Sequence, residues 1–277
     1  MTVIIDGKHV AEKITAELKQ KVLQMQKKPH LAVIQVGDNT ASNIYVNLKQ
    51  KKAEEIGIKS TVIKLPENIT EQELIKEINE LNEDKSVHAI LVQLPLPKHI
   101  NEKNIIKTIS PKKDVDGFTA QNTGDLLNGM IPSAYPCTPK GVLRLLKEYN
   151  IAIDGKHAVI VGRSNIVGKP LAIMLLNNNA TVTICHSKTK NLTQITKQAD
   201  ILISAVGKKI IFKDMVKENA VVIDIGIFKD ENGKTTGDVD FDNVKEITSF
   251  ITPVPKGVGP MTIASLMENT IELFENK

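Results

Sequence analysis

The chain has 277 residues, enough for two ordinary domains, and its 41% apolar content excludes a disordered polymer while the absence of Trp leaves the core to aliphatic side chains. A net charge of +4 with no long basic block suits an anionic small ligand and argues against nucleic acid as a partner. Two cysteines, Cys137 and Cys185, are too few for a disulfide framework, and with no signal peptide and no apolar run of about 18 residues a cytoplasmic, non-membrane protein is expected.

Helical and strand patterns alternate along the sequence. Residues 10–27 predict an amphipathic helix with Ile14, Leu18, Val22 and Met25 on one face. A buried strand over 31–36 ends at Gly37. The next helix, 42–56, stops at Gly57, a residue type that readily adopts the left-handed turn ending a helix. Residues 61–65 read as a strand, and Thr70 with Glu73 forms a capping box opening a helix through Leu81. An apolar strand over 89–94 is closed by Pro95 and Pro97. This β-α-β-α-β series predicts a mainly parallel sheet.

Residues 110–138 are rich in Gly and Pro and are expected to form a long irregular segment, either functional or a linker. A helix over 139–150 leads into the second half. Strands are predicted there at 158–161, 181–185, 201–205 and 221–224, with helices at 167–177 and 192–199. A last helix follows Pro260, with Ile263, Leu266, Met267, Ile271 and Phe274 on one face. The fold class is therefore α/β in two lobes with a cleft between: residues 1–139, and a Rossmann-type parallel-sheet domain over 140–259. The 260–277 helix is expected to pack back on the first lobe.

The second-half strand runs directly into Gly162-Arg163-Ser164-Asn165-Ile166-Val167-Gly168, and a helix follows. Strand, glycine turn and helix start are the context of a dinucleotide site, where free N–H groups meet a pyrophosphate. The fit is imperfect, because Ser164 stands where a second glycine is usual and Gly168 comes one residue late. The next strand ends Cys185-His186-Ser187-Lys188, without the acid that binds the ribose 2′-OH of NAD. Arg163, Ser187 and Lys188 suit a 2′-phosphate, so NADP is the expected cofactor; the bland alternative is that Arg163 and Lys188 are solvated surface charges. His186 lies beside this end of the site.

In the first half, Tyr45 and Lys49 are four residues apart and share a helix face. A ring and an amine so placed can hold a flat heterocycle and act on it, although the same spacing is common on solvated surfaces. Gln93 is a polar residue in an apolar strand and needs a partner. Asp114 and Asp116 are turn formers or ligand acceptors. Cys137, between prolines, reads as a packed thiol. The six histidines are scattered, so no metal is predicted. Asp224 closes a strand and is consistent with a purely structural role.

These segments together resemble the bifunctional methylenetetrahydrofolate dehydrogenase/methenyltetrahydrofolate cyclohydrolase family. The resemblance rests on the 42–49 helix, Val92-Gln93-Leu94-Pro95-Leu96-Pro97, Lys113-Asp114-Val115-Asp116-Gly117, Pro136-Cys137-Thr138-Pro139 and Gly162-Arg163-Ser164. It continues through Gly237-Asp238-Val239-Asp240 and Thr252-Pro253-Val254-Pro255 to Val258-Gly259-Pro260-Met261-Thr262. One departure is Lys256, where the family usually has a glycine.

The resemblance implies a folate-binding catalytic lobe and an NADP lobe, with NADP-dependent oxidation of 5,10-methylenetetrahydrofolate to the methenyl cation, then hydrolysis to 10-formyltetrahydrofolate. It implies Lys49 as the central catalytic residue, with Tyr45, Gln93 and Asp116 beside it and Val92, Leu94 and Pro260 lining the folate. For NADP it implies Gly162, Arg163, Ser164, Val167, Gly168, His186, Ser187 and the backbone near Ile227. It also implies a homodimer.

Overall fold

Parallel strands joined by helices build the protein, as the alternation of apolar runs and amphipathic stretches requires. The computed structural model describes residues 1–276, apart from the side chain of Ala41. Strand β1 (Val3–Ile4) precedes helix α1 (Gly7–Leu23). Then come β2 (His30–Val36), α2 (Thr40–Ile56), β3 (Lys59–Leu65), α3 (Glu71–Glu83) and β4 (Ala89–Val92). Helices α4 (Glu102–Thr108), α5 (Ala120–Leu127) and α6 (Cys137–Glu148) follow. The second half holds β5 (His157–Val161), α7 (Gly168–Leu176), β6 (Thr181–Cys185), α8 (Leu192–Thr196), β7 (Ile201–Ser204) and β8 (Val221–Asp224). It closes with β9 (Phe228–Lys229), β10 (Thr235–Thr236), α9 (Phe241–Val244), β11 (Phe250–Ile251) and α10 (Val258–Glu275).

The chain divides into two units. One comprises residues 13–137 and 263–277, of which Lys277 lies outside the described residues. Its sheet has the order β3-β2-β4, all parallel. Every residue of β2 is buried, because helices cover both faces, and alternate residues serve different cores. Leu31 and Val33 pack with Val46, Ala53 and Ile56, and with Leu266, Met267 and Ile271 of α10. Ala32, Ile34 and Val36 pack with Leu74 and Ile78 of α3.

Local chemistry sets the helix ends. Thr70 Oγ1 accepts from the Glu73 amide and the Glu73 carboxylate accepts from the Thr70 amide, a reciprocal cap worth about 1 kcal/mol. Asn39 Oδ1 accepts from the Ser42 amide and starts α2. Gly57, at φ +92°, ends it.

The other unit comprises residues 1–12 and 138–262. Its sheet runs β1-β11-β8-β7-β5-β6, with each pair parallel. The boundaries differ from the expected 1–139 and 140–259. Residues 1–12 join the second-half unit because β1 hydrogen-bonds β11 as the sheet's edge. Residues 138–139 and 260–262 belong to this unit as well.

The 110–138 stretch is more ordered than its composition suggested. It contains α5, capped by Thr119, and Asp114 makes an isolated parallel bridge with Ile90. Asn122 and Gly124, poor helix formers, masked that helix in the sequence. Among the described residues, no helix is long and apolar enough to cross a membrane.

Candidate active site and dinucleotide site

Helix α2 presents Tyr45 and Lys49 one turn apart, and Tyr45 is 40% exposed. Strand β4 ends at Val92, so Gln93 is the first residue beyond the sheet, held by its amide to the Ile34 carbonyl. The Lys49 ammonium donates to Gln93 Oε1 at 3.0 Å, while Gln93 Nε2 donates to the Leu94 carbonyl at 2.6 Å. Gln93 therefore has its partners, and one of them is the amine. Val92 is buried, and Leu94 is half-buried.

The two neighbouring aspartates separate in role. Asp114 is buried and accepts from the Thr119 amide and from Asn122 Nδ2, which makes it a builder of the turn before α5. Asp116 is left for other work. Burial pushes its carboxyl above the ordinary range; Lys49 pulls it back, Asp114 adds to the rise, and the Cys137 thiol, donating at 3.6 Å, lowers it. Lys49, Gln93 and Asp116 thus form one electrostatic group.

Sequence reasoning missed Asn269, which is fully buried in α10. Its Nδ2 donates to the carbonyls of Val115 and Tyr135 and contacts the Cys137 sulfur, tying together the two segments that flank Asp116. A polar residue among Leu266, Met267 and Ile271 carries the same signal that singled out Gln93. Gly117, at φ +68°, has no room for a side chain, since a Cβ would lie 2.5 Å from the Ala134 carbonyl.

In the other unit, the turn after β5 is shaped by close backbone approach. A Cβ on Gly162 would sit 2.5 Å from the Ala205 oxygen, and one on Gly168 would sit 2.3 Å from the Gly162 oxygen. The turn thus wraps tightly onto the start of α7, and its narrowness and the helix N-terminus fit a dinucleotide pyrophosphate. Ser164 has a use that the glycine pattern hid. Its Oγ accepts from the amides of Val167 and Gly168, at 3.2 and 3.3 Å, and opens α7.

Arg163 is exposed in this turn. Beyond β6, the His186 amide donates to Thr189 Oγ1 and the Lys188 amide donates to His186 Nδ1, a tight turn that leaves Ser187 and Lys188 exposed. Ile227, 50% exposed, follows β8. Pro260 lies in the first turn of α10 and belongs to this unit, whereas the other expected folate-lining residues belong to the first. Both cysteines are buried thiols rather than disulfide halves, and burial pushes the Cys185 thiol up. Among the described residues no cluster of three His, Cys, Asp or Glu side chains is placed to hold a metal.

Residues 5–116 match the tetrahydrofolate dehydrogenase/cyclohydrolase catalytic domain, and residues 136–277 match the NAD(P)-binding domain of the same family. The chain belongs to the tetrahydrofolate dehydrogenase/cyclohydrolase family. A bifunctional protein FolD of Streptococcus agalactiae is 56% identical over 277 residues, covering 98% of this chain and 97% of the relative. The crystal structure of the bifunctional FolD enzyme of Campylobacter jejuni superimposes with a TM-score of 0.98 at 53% identity, over 100% of this chain and 99% of that one.

The Trypanosoma brucei enzyme, solved in complex with NADP cofactor and inhibitor, has a TM-score of 0.95 at 37% identity, covering 99% and 98% of the two chains. This family member is accordingly a bifunctional methylenetetrahydrofolate dehydrogenase and cyclohydrolase. One unit carries most of the catalytic-domain match for tetrahydrofolate substrates, and the other carries most of the NAD(P)-binding match.

Proposed function

We propose that this enzyme oxidises 5,10-methylenetetrahydrofolate with NADP and hydrolyses the methenyl product to 10-formyltetrahydrofolate, with Lys49 as the residue that handles the proton of the second step. The observation that carries this reading is the Lys49–Gln93 hydrogen bond beside Asp116.

Bound NADP supplies the acceptor for the hydride of the methylene carbon. The chain's own residues do the rest. The Tyr45 ring lies against the folate, one helical turn from Lys49. Asp116 accepts hydrogen bonds from the pterin N–H groups, a task for which a carboxylate held by a thiol and faced by an ammonium is suited. Val92 and Leu94, bracketing Gln93, line the folate.

In the hydrolytic step water adds to the methenyl carbon, a proton leaves that water, and a ring C–N bond opens to give the formyl product. The Lys49 amine, placed by its hydrogen bond to Gln93, is the group that handles the proton leaving the water. Gln93 Oε1 then fixes where the amine sits.

For the dinucleotide, Gly162, Ser164, Val167 and Gly168 receive the pyrophosphate, and the Ile227 backbone borders the cofactor. Arg163 and Ser187 bind the 2′-phosphate, with His186 at the adenosine end. Support for NADP over NAD comes from the acid-free end of β6 and from the exposure of Arg163, Ser187 and Lys188. We further infer a cytoplasmic homodimer with no membrane or nucleic-acid partner. Two buried thiols outside any disulfide support a reducing compartment, and the edge strand β6 with exposed Ile184 supports self-association.

The test is an assay with methylenetetrahydrofolate and each dinucleotide, following the methenyl and formyl products separately. Faster turnover with NADP and accumulation of the formyl product are expected. Preference for NAD would overturn the cofactor assignment, and a methenyl product that is hydrolysed only at the uncatalysed rate would overturn the role of Lys49.

A further inference from the structure

The carboxyl ends of β5, β7 and β8 lie in register, with Val161 beside Ser204 and Ser204 beside Asp224. Ligands of open parallel sheets lie beyond this edge. The phosphate turn begins there at Gly162 and rests on Ala205, whose oxygen would lie 2.5 Å from a Cβ at Gly162. The amide of Ala205 donates to the Val161 carbonyl. The shape of the phosphate turn therefore depends on where the chain goes at residues 205–208.

That path is dictated by one side chain. Asp238 is fully buried, and its carboxylate gathers the amides of Val206, Gly207 and Lys208 at 2.7, 2.8 and 2.8 Å. The Ser204 hydroxyl donates the fourth bond, at 2.7 Å. Successive backbone amides converging in this way form a concavity for an anion. Here the anion is built in, delivered from 30 residues down the chain.

A carboxylate has about four acceptor positions, and four donors fill them. Burying it is costly unless it is so paired. Asp238 is itself held: its amide and that of Val239 donate to Asp224, which also accepts from Gly226, next to the exposed Ile227. Glycine is required at 226 and 237, where a Cβ would fall 1.8 Å from Asp238 Oδ1 and 2.1 Å from Asp224 Oδ2. Two turns on the carboxyl edge are thus fastened by two crossed carboxylates.

We propose that Asp238 is a positioning residue for the dinucleotide: its carboxylate holds the 205–208 turn on which the phosphate turn rests, and through Asp224 it also holds the backbone before Ile227. This rests on the reading of the Gly162 to Gly168 turn as the NADP site.

The experiment measures NADP affinity by calorimetry, and methenyltetrahydrofolate hydrolysis without dinucleotide, for the full chain and for Asp238→Asn. Asparagine sets an amide where N–H groups point. NADP binding should weaken by at least about tenfold, a loss of roughly 1.4 kcal/mol, while hydrolysis stays within about twofold. Unchanged affinity would overturn the proposal.

If Asp238→Asn loses hydrolysis as well, Ser204→Ala decides. It removes one of the four donors and keeps the carboxylate. A weakening of NADP binding of about threefold, with normal hydrolysis, supports the proposal; no weakening overturns it. Failure of the unmodified protein to bind NADP would overturn the cofactor reading, and this proposal with it.

Discussion

Gln93 accepts a hydrogen bond from Lys49 at 3.0 Å, so the first polar residue past an apolar strand fixes the amine presented by a neighbouring helix. Replacing Lys49 with Ala should abolish methenyl hydrolysis, a loss of at least about 100-fold for a residue that handles the proton. NADP affinity should be unchanged. Replacing Gln93 with Leu should slow hydrolysis by about tenfold, because the amine loses the acceptor that fixes its position. Stopped-flow absorbance of the methenyl substrate measures both, and hydrolysis at the normal rate by the Lys49 variant would refute its role.

Arg163→Ala should weaken NADP more than NAD. A charge-assisted contact to the 2′-phosphate is worth about 1.5–3 kcal/mol, or roughly ten- to a hundredfold in affinity. Titration of both dinucleotides is the check, and an equal loss for both would remove Arg163 from 2′-phosphate recognition.

Asp224 gives the protein a pH dependence of unusual sign. Burial raises its carboxyl from the ordinary 3.8 to about 7, with the charge of Asp238 adding to the rise and the amides of Val239, Asp238 and Gly226 opposing it. Between these values the folded state holds a proton that the unfolded state has lost. The group's contribution to stability is therefore full below about 4 and is lost as pH climbs through 7. Asn at this position cannot ionise. The melting temperature of Asp224→Asn, relative to the unmodified enzyme, should rise between about pH 4 and pH 7 and level off above that; a constant difference would contradict the assignment.

Lys256 adopts φ +83°, a left-handed conformation that costs a residue with a Cβ about 1–2 kcal/mol. Its carbonyl is committed, accepting from the Lys8 amide, so the loop cannot relax cheaply. Glycine relieves the strain but gives back about 0.4–1 kcal/mol in unfolded-state entropy. Lys256→Gly should therefore stabilise by under about 1 kcal/mol in denaturant unfolding. Destabilisation would mean that the lysine side chain makes up for its strained backbone.

Where burial imposes a pattern, the sequence was readable. The strands β2 and β5 are mainly aliphatic because both faces are covered, with the buried Gln35 interrupting β2, and Gly57 and the Thr70–Glu73 pair mark helix ends by local chemistry alone. Strands β1 and β11 are two residues each, too short to carry a period, and their pairing joins opposite ends of the chain. In the site, Gln93 was legible as a polar interruption of an apolar strand. The Asp116–Cys137 contact was not, because it depends on how two loops meet. Likewise Ser164 reads as a defect in a glycine pattern, whereas its hydroxyl accepts from the Val167 and Gly168 amides where α7 opens.

The order in which the polypeptide is made has a consequence for folding on the ribosome. The core around Val22, Leu31 and Val33 includes Leu266, Met267, Ile271 and Leu273. Residues 13–137 therefore emerge well before the segment that completes their interior. The intervening residues 138–262 can assemble their own sheet first, with residues 3–4 supplying its edge. A nascent chain exposed as far as residue 262 would hold one finished unit and one still open along the face that α10 will cover.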